Sequence, residues 1–177
     1  MLKTLIKSIL RVLLTPWRKQ RVRRDGVTDT APRKEYPNDV LLALVSKKIA
    51  EGHDTTIIVK GYSMRPFLEH ERDKVILTPV KRPLQVADAI LAEISPGHYV
   101  LHRIIDIQGE DITMMGDGNI RGVEHCKVKD VRGLVTHYIR PKRTIPASDE
   151  KLQRNIRLWR RLLPIRRYLL LIYKATV

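Results

Sequence analysis

The chain has 177 residues and a formal net charge of +15, a length that suits one domain with extensions. Residues 1–37 carry ten Lys/Arg against three acids, residues 151–177 carry eight against none, and residues 38–150 hold sixteen of each. A nucleic-acid-binding fold would carry its basic face within the folded domain. A neutral middle between two basic, apolar ends points first to an anionic membrane surface and second, as the weaker reading, to nucleic acid.

Residues 1–17 read as a basic amphipathic helix. Lys3, Lys7 and Arg11 recur every four residues among Leu2, Leu5, Ile6, Ile9, Leu10, Leu13 and Leu14, and Pro16 limits the run. The same three charges interrupt what would be the apolar region of a cleavable signal peptide. No run of about 18 uncharged apolar residues occurs, so no transmembrane helix is predicted. The expected location is peripheral, at the cytoplasmic face of a membrane. Residues 18–37 are polar and basic with two prolines and read as a linker. Helical periodicity returns over 39–51, where Val40, Leu41, Leu44, Val45 and Ile49 share a face, Asn38 suits an N-cap and Gly52 a stop.

From residue 55 the apolar period shortens to two. Strands are predicted over Thr55–Lys60, Lys74–Thr78, Ala89–Ile94, Tyr99–Ile107, Ile112–Met115 and Val131–Ile139, separated by Gly-, Pro- and Asp-containing turns. The fold class is therefore mainly β: a small coiled antiparallel sheet or barrel over residues 38–140, with amphipathic helices at both ends. Residues 141–150 read as a polar connector. Residues 151–177 read as a basic amphipathic helical tail, with Pro164 kinking or splitting it. Two weak anchors together bind a membrane more firmly than one, so residues 1–17 and 151–174 are expected to share that role. The single cysteine, Cys126, cannot form an internal disulfide.

Ser63 follows a predicted strand in the turn Gly61-Tyr62-Ser63-Met64-Arg65-Pro66. His102 lies in the strand Val100–Ile105, and Asp117 in the turn Gly116-Asp117-Gly118-Asn119. A serine hydroxyl becomes a strong nucleophile when a base takes its proton and a third group orients that base. Each residue also has an ordinary reading: a β-turn serine, a hydrogen-bonded core histidine, an Asx turn. His98 and His102 would sit about 13 Å apart on an extended strand, too far for one metal. Neither a phosphate-cradling glycine loop nor a dinucleotide fingerprint occurs. No metal and no cofactor is expected.

Gly61-Tyr62-Ser63-Met64-Arg65-Pro66 resembles the Gly-x-Ser-Met-x-Pro nucleophile box of the signal peptidase I and LexA-like serine peptidase superfamily. The resemblance continues in order through Glu71–Leu77, Leu84–Leu91, Val100–Ile105 and Gly116–Asn119, covering residues 55–137. Ala87 stands where the family usually has glycine. His102 occupies the general-base position that lysine fills in typical bacterial members, as in the histidine-type members. The resemblance implies a fold of the LexA/signal peptidase type, Ser63 as nucleophile and His102 as base. Histidine-type members have a further aspartate shortly after the Gly-Asp box, and this chain has none there. Asp117 is the favoured acid and Glu124 the alternative. Gly61 and Met64 are expected at the substrate.

The expected function is a serine endopeptidase that cleaves an extended peptide segment of a protein substrate at a membrane surface. An alternative is a catalytically weak or inactive peptide-binding module of the same fold. A LexA-like regulator is the weaker third reading, because residues 1–54 suit a helix-turn-helix poorly.

Overall fold

The computed structural model describes residues 38–176. Helix α1 (Asn38–Ala50) leads into strands β1 (Thr55–Ile58), β2 (Lys74–Thr78), β3 (Ala89–Ser95), β4 (His98–Gln108), β5 (Asp111–Met115), β6 (Glu124–Lys127), β7 (Val131–Arg140) and β8 (Arg143–Pro146). Helices α2 (Glu150–Arg161) and α3 (Arg166–Thr176) close the chain, with 3-10 turns at Val128–Asp130 and Leu163–Ile165. The predicted helix 1–17 and linker 18–37 lie outside the described residues.

All eight strands form one antiparallel sheet in the order β1-β2-β7-β3-β4-β5-β6, and β8 also pairs with β7. Register shifts interrupt the ladders at Ile76/Leu77, Leu91/Ala92, Glu93/Ser95 and Ile104/Asp106. Each irregularity bends its strand and adds twist, so the sheet coils around its own core. The two ends of the path, β1 and β6, do not pair with each other, so the sheet is open rather than a barrel.

Alternation along β3 explains its unbroken apolar run. Ala89 and Leu91 face one cluster with Met64, Phe67, Leu77 and Trp159, while Ile90 and Ala92 face a second with Ile104, Ile112, Met114 and Cys126. A strand covered on both faces reads as continuously hydrophobic. Helix α1 packs through Val45 and Ile49, with Leu42 beside them. Val40 and Leu44, predicted on that buried face, are exposed.

The C-terminal third corrects the sequence reading. The connector 141–150 contains β8, paired with the end of β7. Asp149 caps α2 by accepting a hydrogen bond from Leu152 N–H at 2.7 Å. From that start Leu152, Ile156 and Trp159 recur at helical spacing and enter the core; Leu169 and Leu170 of α3 join them, and Tyr173 is buried as well. Pro164 splits the run within the 3-10 turn at Leu163–Ile165, as its missing N–H requires. Burying each large apolar side chain stabilises the fold by about 1.5–3 kcal/mol. This face therefore belongs to the domain rather than to lipid. Among the described residues, no helix is long and apolar enough to cross a membrane.

Candidate active site

The serine turn connects β1 to β2. Gly61 adopts φ +92°, a conformation that favours glycine, and its N–H donates to His70 Nδ1 at 3.0 Å. The Tyr62 ring meets His70 edge-on at 5.0 Å, and the Arg65 guanidinium lies 4.2 Å over the Tyr62 ring. Met64 N–H is followed by a helical turn in which Phe67 and Leu68 N–H donate to Met64 C=O. Met64, Phe67 and Leu68 are buried, so the core anchors the residues just after Ser63.

The Gly116–Asn119 loop docks directly on that turn. Gly118 N–H donates to Ser63 C=O at 2.6 Å. A Cβ on Gly116 would lie 2.5 Å from Ser63 C=O, and one on Gly118 would lie 2.6 Å from Tyr62 C=O. Both contacts are with backbone, which cannot swing aside. Both glycines are therefore needed for close approach, and the two motifs, more than fifty residues apart, form one unit.

His102 projects from β4. Its Nδ1 lies 2.7 Å from Glu124 Oε2 at the start of β6. The ladder explains the pairing: β5 joins β4 to β6, with Ile104 opposite Met114 and Met114 opposite Glu124. His102 is buried, whereas the Glu124 side chain is 27% exposed. A carboxylate on Nδ1 holds the ring proton there and leaves the Nε2 lone pair available. Ser63 and His102 line one cleft of about 180 Å³, together with Met64, Leu91, Tyr99 and Leu101. Among the described residues His102 makes one side-chain hydrogen bond, to Glu124, and none to Ser63.

Asp117 has a different partner from the one expected. Its carboxylate accepts from Arg103 Nε at 2.8 and 3.0 Å and from Arg103 Nη2 at 2.6 Å. Both side chains are almost fully enclosed. Burial alone would lower the Arg103 pKa, but the Asp117 carboxylate outweighs it, so the guanidinium is held charged above its ordinary value. Arg103 is the residue after His102, so strand alternation sends it to the opposite face. Of the two acids considered, the structure brings Glu124 to His102 and commits Asp117 to Arg103. Met64 lines the cleft. Gly61 shapes the turn and is not part of the described cleft wall.

The sequence reading missed what holds Asp117 in place. Trp159 of α2 donates Nε1–H to Asp117 C=O at 2.8 Å, and Arg166 of α3 donates Nη1–H to Asn119 C=O at 3.0 Å. The Arg166 guanidinium also lies 5.4 Å over the Trp159 ring. Glu69, buried beneath the serine turn, accepts from Arg65 Nη2 at 2.8 Å and from Tyr173 Oη. The C-terminal helices therefore clamp both the serine turn and the loop it rests on. A lone arginine in the apolar strand Val100–Ile105 was a usable signal of a buried acidic partner. Nothing in the local pattern of 151–174 indicated Trp159 or Arg166.

The first half of β4 is open along one edge. Residues 98–103 pair with β3, and β5 pairs only from Arg103 onward. Tyr99–His102 thus present an edge with no strand partner among the described residues, beside the cleft that contains Ser63.

Comparison with known proteins finds no family model that matches the chain and no curated protein that matches it.

Proposed function

We propose that this chain is a serine endopeptidase of the signal-peptidase-like, histidine type. The observation that carries the proposal is the chain of groups Glu124–His102–Ser63, the first two hydrogen-bonded and the last two in one cleft. The residue types and their order, Gly-Tyr-Ser-Met-Arg-Pro before a base strand and a Gly-Asp-Gly-Asn loop, support the same reading.

In this mechanism Glu124 fixes the proton on His102 Nδ1, and His102 Nε2 takes the Ser63 hydroxyl proton as Oγ attacks the peptide carbonyl. The Ser63 backbone N–H helps stabilise the oxyanion. His102 then gives that proton to the leaving amine as the C–N bond breaks. Water enters, His102 takes its proton, and the hydroxide attacks the acyl-enzyme. Collapse returns the proton to Ser63 Oγ and releases the new carboxyl terminus. The substrate lies extended along Tyr99–His102 and hydrogen-bonds through its main chain as an added strand. Met64, Leu91 and Leu101 form the apolar wall beside Ser63. The small cleft suits a small side chain before the cut.

The proposed setting is an anionic membrane surface at the cytoplasmic face. Its support is the basic amphipathic sequence pattern of residues 1–17 and, in the C-terminal helices, the residues the core does not use: exposed Leu163, Ile165 and Tyr168 with exposed Arg157 and Arg161. Cosedimentation with vesicles with and without anionic lipid tests this, and binding indifferent to anionic lipid would sink it. The test of the peptidase is a comparison of protein N-termini in cells carrying wild type, Ser63→Ala, His102→Ala or Glu124→Gln. N-termini present with wild type and lost in all three variants support it. An unchanged set from folded, expressed variants would transfer the proposal to the peptide-binding module.

A further inference from the structure

Ser63 also stands in the wall of a second cleft, on the side facing α3. This cleft has a volume of about 310 Å³, and its walls include Tyr62, Arg65, Ile120, Arg167, Leu171 and Lys174. None of the residues lining it is an acid. Arg65 is held by Glu69, whose carboxylate lies buried beneath the turn and is also engaged by Tyr173. Arg167 and Lys174 are exposed, and among the described residues neither makes an ion pair or a side-chain hydrogen bond. Seven residues of helix separate them, a rise of about 10 Å. An extended peptide covers that distance in about three residues.

We infer that this second cleft is a substrate subsite that selects acidic side chains on one flank of the cut bond. The inference rests on the reading of Ser63 as nucleophile and extends it to a substrate class. A peptide that reacts at Ser63 is held by the His102 cleft on one side. On the other side the α3 cleft lies in its path, since Ser63 borders both clefts. There the exposed Tyr62, Ile120 and Leu171 offer apolar contact, and Arg167 and Lys174 offer positive charge without a carboxylate on the wall to satisfy it. Aspartate or glutamate within about three residues of the cut gains Coulomb attraction, while lysine or arginine there is repelled.

The test uses the full-length protein and a synthetic peptide library whose members carry Asp/Glu, Lys or neutral residues on either flank of a varied centre. Mass spectrometry reads the new termini. Wild type is compared with Arg167→Glu/Lys174→Glu and with the milder Arg167→Gln/Lys174→Gln, and Ser63→Ala provides the blank. The expected result is a preference for acidic peptides on one flank only. The ratio of acidic-flank to lysine-flank cutting falls by about tenfold or more in the charge-reversed protein, with the neutral variant between. The preference weakens as salt is raised. Equal cutting of acidic and lysine flanks in all folded variants would overturn the subsite while leaving a Ser63-dependent peptidase intact. Ser63-independent cutting, or no cutting by folded wild type, would remove the peptidase reading and this inference with it.

Discussion

The different surroundings of Asp117 and Glu124 lead to opposite effects of two chemically similar substitutions. Asp117→Asn keeps the shape of the side chain but removes the charge that faces Arg103, a residue only 1% exposed. Removing one partner of a buried ion pair costs about 3–5 kcal/mol, because the other charge stays buried and uncompensated. A Coulomb term of about 4 kcal/mol at about 4 Å in an effective dielectric of about 20 agrees with that range. With a urea slope of about 2 kcal/mol per molar, a loss of about 4 kcal/mol moves the unfolding midpoint down by about 2 M. Trp159 is a suitable reporter, being buried with its indole N–H on Asp117 C=O. Glu124→Gln meets a partly exposed site and should move the midpoint by less than about 0.5 M, corresponding to less than about 1 kcal/mol. If Glu124 orients His102 as proposed, the same substitution lowers kcat by up to about 10⁴-fold. A midpoint for Asp117→Asn within about 0.5 M of wild type would refute the assignment of Asp117 as a structural partner of Arg103.

Gly118→Ala places a Cβ against Tyr62 C=O, so it should cost about 1–3 kcal/mol and shift the serine turn; a crystal structure of the variant superimposing on wild type, with unchanged thermal stability, would contradict this. Tyr173→Phe removes a buried donor to Glu69 and should cost about 1.5–3 kcal/mol by urea unfolding at neutral pH. Burial, with Glu69 adding to it, raises the Tyr173 pKa above its ordinary value. The folded state therefore holds this proton more tightly than the unfolded state. The stability it contributes is complete below about pH 10 and is lost as pH rises further, a loss that Tyr173→Phe should lack. Burial pushes the Cys126 thiol up to about 11. Iodoacetamide labelling of native protein should thus be slow at pH 8 and rise about tenfold per pH unit toward pH 10, whereas rapid labelling at pH 8 would show the site to be open.

Local pattern alone identified much of this protein. Period-two alternation over 55–139 located six of the eight strands but not β6, because a side chain's face in a strand depends only on its position parity, and short turns without intervening helices indicated the antiparallel class. The helical period located α1 and the C-terminal helices, and Pro164 their break. Residue types in order proposed Ser63 and His102, since a nucleophile and its base must be particular side chains. The sequence could not decide between Asp117 and Glu124. The match to the Gly-Asp box favoured Asp117, but ladder register through β5 sets Glu124 level with Ile104, two residues along the same strand face from His102, and strand parity turns Arg103 toward Asp117. The same limit applied to 151–174. An apolar helical stripe records that something covers it, without recording whether the cover is lipid or a sheet formed earlier in the chain. Strand β8 was hidden for a related reason: four residues of modest hydrophobicity gain strand form from pairing with β7. Tertiary packing decided these points because they depend on which distant surfaces meet, a property absent from any local stretch of sequence.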